Sequence, residues 1–184
     1  SNDFDIITKK ETEALTYCAE LISKGEIIGT IISYAEIGPR ALGNRSLLCD
    51  GKNHEAVNYL NTVIKNRSPF RPTAPVMKFE TAKKYYKLND VLMESYGSMN
   101  ATCKCLKNSE ALKFPVTHVD GTARLQIAKE KSFIFSLLSS LSPYNIDVLA
   151  NSSLNVSGDP TSFDFIDGLL VCINSSLEYL LTDY

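Results

Sequence analysis

The chain reads as an α/β fold, a twisted open mixed sheet with flanking helices, and three observations lead there. Helical periodicities and β-branched apolar runs intermingle along its length without the regular strand–helix–strand repeat of an all-parallel sheet. A content of 44% apolar and 22% charged residues is ordinary for a soluble globular protein. The 184 residues hold no internal repeat, low-complexity stretch or linker, so one compact domain over 3–184 is expected. Ser1-Asn2 resembles the scar of tag removal, and an excised piece of a longer protein is the expectation.

Each element has its own signal. Thr8 is the expected cap of a helix over 9–24, with Ala14, Leu15, Cys18, Leu21 and Ile22 on one stripe and Gly25 as its stop. The apolar run 26–33 predicts a buried strand and 47–49 a short one. Asn53 caps a helix over 53–64 that turns Ala56, Val57, Leu60 and Ile64 inward. Pro72 and Pro75 delimit a strand near 74–79, and 81–88 is weakly helical. Residues 89–113 are polar and loop-like, with strand potential near 92–99. A strand over 122–127, a helix over 131–141 ended by Pro143 and a short strand over 146–150 follow. A polar loop with Gly158 and Pro160 leads to a helix over 162–173 and a last strand over 177–181.

Composition excludes several classes. The formal net charge of −2 argues against a protein devoted to nucleic acid, which needs a broad basic face. No run reaches the length of a membrane span, and no basic-then-apolar leader precedes residue 20. Five scattered cysteines point to reduced thiols and a cytoplasmic setting; Cys18 and Cys172 read as core residues. Cys103 and Cys105 are too close for structural zinc spacing, and His54 and His118 are too few for a metal site.

Against that slightly acidic background, positive charge is concentrated. Between Arg40 and Lys78 stand seven Lys and Arg residues and two acids, Asp50 and Glu55. Gly38-Pro39-Arg40-Ala41-Leu42-Gly43-Asn44-Arg45-Ser46 holds two guanidiniums on a turn framed by glycine and proline. A planar fork of donors matches phosphate or carboxylate oxygens two at a time. Lys65, Arg67 and Arg71 form a second cluster with Ser68-Pro69-Phe70, and an extended backbone places Lys65 and Arg67 on one face. His118-Val119-Asp120-Gly121-Thr122-Ala123-Arg124 adds an imidazole, a carboxylate and a guanidinium. Asp120-Gly121 is a good turn pair, and Arg124 lies in an otherwise apolar strand where an unpaired charge is expensive. On spacing alone, ligand and structural roles stand level there. Ser153 and Asn155 can point to one side of a fourth segment, 151–160, which otherwise has ordinary loop composition.

Together these segments resemble the C-terminal domain of O-carbamoyltransferases of the nodulation and antibiotic-tailoring type. The resemblance runs from Gly25 to Tyr184 and rests on GPRALGNRS at 38–46, the IK, R, PFRP and AP of 61–75, THVDGTAR at 117–124, and N-S-LN-G-P at 151–160. It implies a YrdC/Sua5-like fold, with Lys65/Arg67 and Ser153/Asn155 matching the KxR and SxN pairs placed around ATP. It implies an enzyme that makes carbamoyl-adenylate from carbamoyl phosphate and ATP, with magnesium on the nucleotide. Arg40, Lys65, Arg71 and Arg124 are then the catalytic clamp on the acyl phosphate, aided as substrate-binding groups by Arg45 and His118. Lys65, Arg67, Ser153 and Asn155 face the nucleotide phosphates, and His118 and Asp120 handle a proton or orient Arg124. The expected partner is a preceding Kae1-like domain, which carries iron or another metal and transfers the carbamoyl group to a hydroxyl; no metal site is expected in this chain. A threonylcarbamoyl-AMP synthase, or a nucleotide- or RNA-binding module without chemistry, is the alternative.

Overall fold

The computed structural model describes residues 4–68 and 70–183; the readings placed on Ser1-Asn2 and Pro69 lie outside them. A six-stranded mixed sheet forms the frame. Its strands are β1 (Ile28–Ile31), β2 (Ser46–Asp50), β3 (Ala74–Met77), β7 (Gln126–Ile127), β8 (Leu149–Ser153) and β9 (Tyr179–Thr182), in the order β7-β3-β8-β2-β1-β9. β2 runs antiparallel between β1 and β8, β8 antiparallel to β3, while β9 and β7 join β1 and β3 in parallel. A second, antiparallel sheet holds β4 (Tyr86–Lys87), β5 (Cys103–Cys105) and β6 (Thr122–Ala123).

Alternation along the strands supplies both faces of the large sheet. Ile28, Leu48, Val76 and Leu149 turn to one side, where α1 (Glu11–Ser23) and α5 (Phe133–Ser140) bury Leu15, Cys18, Ile22, Leu137 and Leu138 against them. Ile31, Leu47, Cys49, Met77 and Ala150 turn to the other, beneath α2 (His54–Tyr59), α6 (Phe165–Asn174) and the small sheet. With both faces covered, β1 and β3 are buried at every position.

The expected elements are present in outline, with β8 at Leu149–Ser153 rather than 146–150 and the weakly helical stretch as α3 (Phe79–Tyr85), and five further differences stand out. Lys10 stands at the start of α1 without a side-chain cap, so Thr8 is not the cap; Asn53 does cap α2, its Oδ1 accepting from the N–H groups of Glu55 and Ala56. The helix from 53 does not run evenly to 64: α2 gives way to a π turn, Leu60–Ile64. Pro75 lies inside β3 rather than at its edge, tolerated because β7 pairs only with Val76 and Met77. Residues 92–99 are helical, not extended: Asn89 caps a 3-10 turn and α4 (Met93–Gly97) follows. Leu92, Tyr96 and Met99 recur at helical spacing, and all three reach the interior. The strand over 122–127 is two strands, because the chain leaves the small sheet after Ala123 and enters the large one at Gln126. Arg124 stands at that crossing.

Candidate functional site

The arginine loop is folded around a carboxylate. Glu36 Oε1 accepts the backbone N–H groups of Leu42 (2.8 Å) and Asn44 (2.6 Å), and its Oε2 that of Arg45 (3.1 Å). The sheet holds the loop's carbonyls: Asn151 Nδ2 donates to Ala41 O (3.1 Å) and Gln126 Nε2 to Leu42 O (2.8 Å). Gly43, at φ +129°, takes a backbone that side-chain-bearing residues rarely adopt. Arg45 does not join the expected site. Its Nε donates to Phe163 O, Nη1 to Ile32 O and Asn44 O, and Nη2 to Ser33 O, at 2.9–3.1 Å, and the residue is 2% exposed. A guanidinium on four backbone carbonyls is a clasp, binding the loop to the start of α6. Arg40 projects from this frame into solvent, with no hydrogen bond or ion pair among the described residues.

The π turn ends in the second cluster and brings in a residue that sequence reasoning missed. Asn61 is buried, and its Oδ1 accepts from Arg67 Nε (2.9 Å), Arg67 Nη2 (2.7 Å) and Thr73 Oγ1 (3.1 Å). Its Nδ2 donates to Arg71 O (3.3 Å), so one carboxamide ties Arg67, Arg71 and Thr73 together. The guanidinium of Arg71 itself has no hydrogen bond or ion pair among the described residues.

Lys65 is 4% exposed. Its ammonium donates to Ser153 O (2.9 Å), Asn155 O (2.8 Å) and Asn155 Oδ1, the last also accepting from Ser153 Oγ (2.7 Å). Three acceptors are the complement of an ammonium, so the KxR lysine and the SxN pair meet directly. Burial opposes the charge, and Arg67 and Arg71 add repulsion, bringing the amine from 10.5 down to about 7. Burial, then Arg71 and Arg124, likewise lowers Arg67 to about 10, still charged at neutral pH. Burial, then Arg40 and Arg71, lowers Arg124.

Arg40, Arg67, Arg71, Arg124, Asn151 and Ser153 line one cleft of about 210 Å³. No carboxylate stands on its wall, and no ion pair among the described residues engages its guanidiniums. Arg67 and Arg71 also face an adjoining open groove of about 660 Å³ with Ser68, Phe70 and Ser157. Lys65 braces the cleft from behind through Ser153 rather than lining it, and Asn155 opens onto a neighbouring hollow. His118 and Asp120 stay outside the cleft. Asp120 Oδ1 accepts from Thr122 Oγ1 (2.7 Å) and Thr122 N (2.9 Å), which hold its carboxyl below the usual range, and His118 Nδ1 lies 3.1 Å from Thr122 Oγ1. Both serve the turn before Arg124. A hollow of about 380 Å³ by Lys24, Asn53, Glu55 and Glu178 has mixed charge and none of the expected site residues.

All five cysteines are free thiols, Cys18, Cys49, Cys103 and Cys172 buried. Among the described residues no group of three or more His, Cys, Asp or Glu side chains is placed to hold a metal, and no helix is long and apolar enough to cross a membrane.

Comparison with known proteins agrees with the motifs. Residues 19–184 match the family model described as carbamoyltransferase C-terminus. Nodulation protein NolNO of Sinorhizobium fredii is 31% identical over 166 residues, 89% of this chain and 24% of the relative. The 3'-hydroxymethylcephem-O-carbamoyltransferase of Streptomyces clavuligerus is 36% identical over 141 residues, 75% of this chain and 26% of that enzyme. The chain thus spans about a quarter of the length of these relatives. Among solved structures, a P. abyssi Sua5 variant superposes with a TM-score of 0.65 at 13% identity, covering 98% of this chain and 51% of that one; the fold is YrdC/Sua5-like.

Proposed function

The chain belongs to the carbamoyltransferase C-terminal family, and on that premise we propose that it is the carbamoyl-activating domain of an O-carbamoyltransferase. It takes carbamoyl phosphate and ATP to a carbamoyl-adenylate, whose carbamoyl group passes to a hydroxyl acceptor. One observation carries this: four guanidiniums from three remote segments share a cleft that offers them no carboxylate. Four like charges with no carboxylate among them repel one another, Arg67 and Arg124 being partly buried as well, and an arrangement that costs stability is kept where an anion offsets it.

The two anionic substrates suit the two adjoining spaces. Carbamoyl phosphate occupies the enclosed cleft, between Arg40 and Arg124. The nucleotide lies along the groove beside Phe70, with Arg67 and Arg71 on the shared wall facing both sets of phosphates. Adenylyl transfer relies on bringing like-charged reactants together and stabilising the charge that builds up, which this wall does without covalent help. Lys65 holds the Ser153–Asn155 turn at the rim, and arriving phosphate charge offsets the repulsion its ammonium meets from Arg67 and Arg71. Water cleaves carbamoyl phosphate to carbamate and orthophosphate, and a carbamate oxygen then attacks the α-phosphorus of ATP and displaces pyrophosphate. Transfer belongs to a preceding Kae1-like, metal-bearing domain, and the free thiols suit a cytoplasmic enzyme.

Calorimetric titration of the chain with carbamoyl phosphate and with ATP tests the binding. Incubation with both, followed by mass detection of carbamoyl-adenylate and assay of pyrophosphate, tests the chemistry. Folded protein that binds neither ligand would refute the proposal, and pyrophosphate release driven by threonine and bicarbonate would assign a threonylcarbamoyl-AMP synthase instead.

A further inference from the structure

We propose that Asn151 and Arg124 recognise the carbamoyl group itself, Asn151 Oδ1 accepting from its amide N–H and Arg124 Nε donating to its carbonyl oxygen. The inference rests on the carbamoyl phosphate reading above and assigns the residues that tell that substrate from other acyl phosphates.

Buried polar atoms without partners are rare and costly, yet one acceptor and one donor of this kind belong to two residues on the wall of the same cleft. Asn151 is 2% exposed. Its Nδ2 donates to Ala41 O (3.1 Å) and to Gln126 Oε1 (2.7 Å), and Gln126 is itself fixed by donating to Leu42 O (2.8 Å). Turning the Asn151 carboxamide over would set its oxygen against the Ala41 carbonyl, so the network dictates which atom is left. That atom is Oδ1, buried and without a hydrogen bond. Arg124 Nε, at the crossing between the two sheets, is likewise buried and unpaired.

The other charged groups of the cleft are guanidiniums, which only donate. The phosphate of an acyl phosphate only accepts, so it suits the arginines and offers Asn151 Oδ1 nothing. A carbamoyl group supplies the missing complement, one carbonyl acceptor and one amide donor on the same carbon. Acetyl phosphate has the same charge and nearly the same shape but a methyl in place of the amide, and it leaves Oδ1 unpaired. A site that buries a hydrogen-bonding group discriminates strongly against the analogue lacking the partner.

The probes are carbamoyl phosphate, acetyl phosphate and inorganic phosphate, titrated into the unmodified chain and into Asn151→Ala. The expected result is about tenfold or greater preference for carbamoyl over acetyl phosphate in the unmodified chain. In Asn151→Ala the ratio of the two falls toward one. Equal affinity for the two acyl phosphates in the unmodified chain overturns the inference and leaves the anion site standing. A ratio that survives Asn151→Ala overturns it as well. If none of the three probes binds, the proposed function falls and takes the inference with it. Should Asn151→Ala fail to fold, 13C shifts decide the matter on the unmodified chain. The Asn151 side-chain carbonyl must move further with carbamoyl than with acetyl phosphate, and equal movement overturns the assignment.

Discussion

Replacing Arg71 by methionine separates binding from stability. Its guanidinium is exposed and makes no hydrogen bond or ion pair among the described residues, so its action on the folded chain is repulsion. After burial, and together with Arg67, Arg40 or Arg124, it is Arg71 that lowers the pKa values of Lys65, Arg67 and Arg124. Screened like charges near a surface cost roughly 0.3 kcal/mol each, so removing Arg71 should stabilise the fold by about 1 kcal/mol. In a chain of this size that is a rise of about 2–4 °C in Tm. Methionine keeps most of the apolar stem, which limits the loss of packing. Binding should move the other way. A charge-assisted hydrogen bond to phosphate is worth about 1.5–3 kcal/mol, so affinity for carbamoyl phosphate should fall about tenfold to a hundredfold. Scanning calorimetry and isothermal titration on the same preparations read both numbers. A variant with lower Tm and unchanged affinity would mean that Arg71 is structural and that the cleft is not an anion site.

Two further outcomes follow from the geometry. Because the folded state holds the Lys65 amine at about 7 against an ordinary 10.5, the unfolded chain binds the proton more tightly between those values. Stability should therefore rise as pH increases from 7 to 10; urea melts should show this slope in the unmodified chain and a shallower one in Lys65→Met. Arg45→Lys should destabilise the fold by roughly 2–4 kcal/mol, since an ammonium replaces a fork that serves four carbonyls. Urea denaturation measures the loss, and a variant as stable as the parent would disprove the clasp.

Much of the frame was legible because it rests on local pattern. Both faces of the sheet follow from alternation along the apolar runs, and Asn53 is a cap by residue type and position. Where the sequence misled, two periods competed: Leu92, Tyr96 and Met99 keep helical spacing inside a stretch that also looks extended. The crossing after Ala123 has no local signal, since it depends on which sheet each half joins. In the site, residue type marked the cations but not their partners. Arg40 and Arg45 look equivalent in sequence, and only the carbonyls of Ile32, Ser33 and Phe163 separate the clasp from the free arm. Asn61 and Asn151 fell within the motif stretches and were passed over, because a carboxamide announces its role only through the groups that surround it.

The carboxylate of Glu36 at the centre of the arginine loop decides what kind of receptor this is. Many phosphate-binding loops grip through backbone amides, a cradle whose shape no side-chain substitution can alter. Here the amides of Leu42, Asn44 and Arg45 are already occupied from within. On the proposed function, an incoming anion would meet the side chain of Arg40 rather than these three amides. Such a receptor works as a set of separate fingers on a rigid palm. A finger such as Arg40 can be exchanged without refolding the palm, so under the proposed function the choice of acyl phosphate could be retuned one residue at a time.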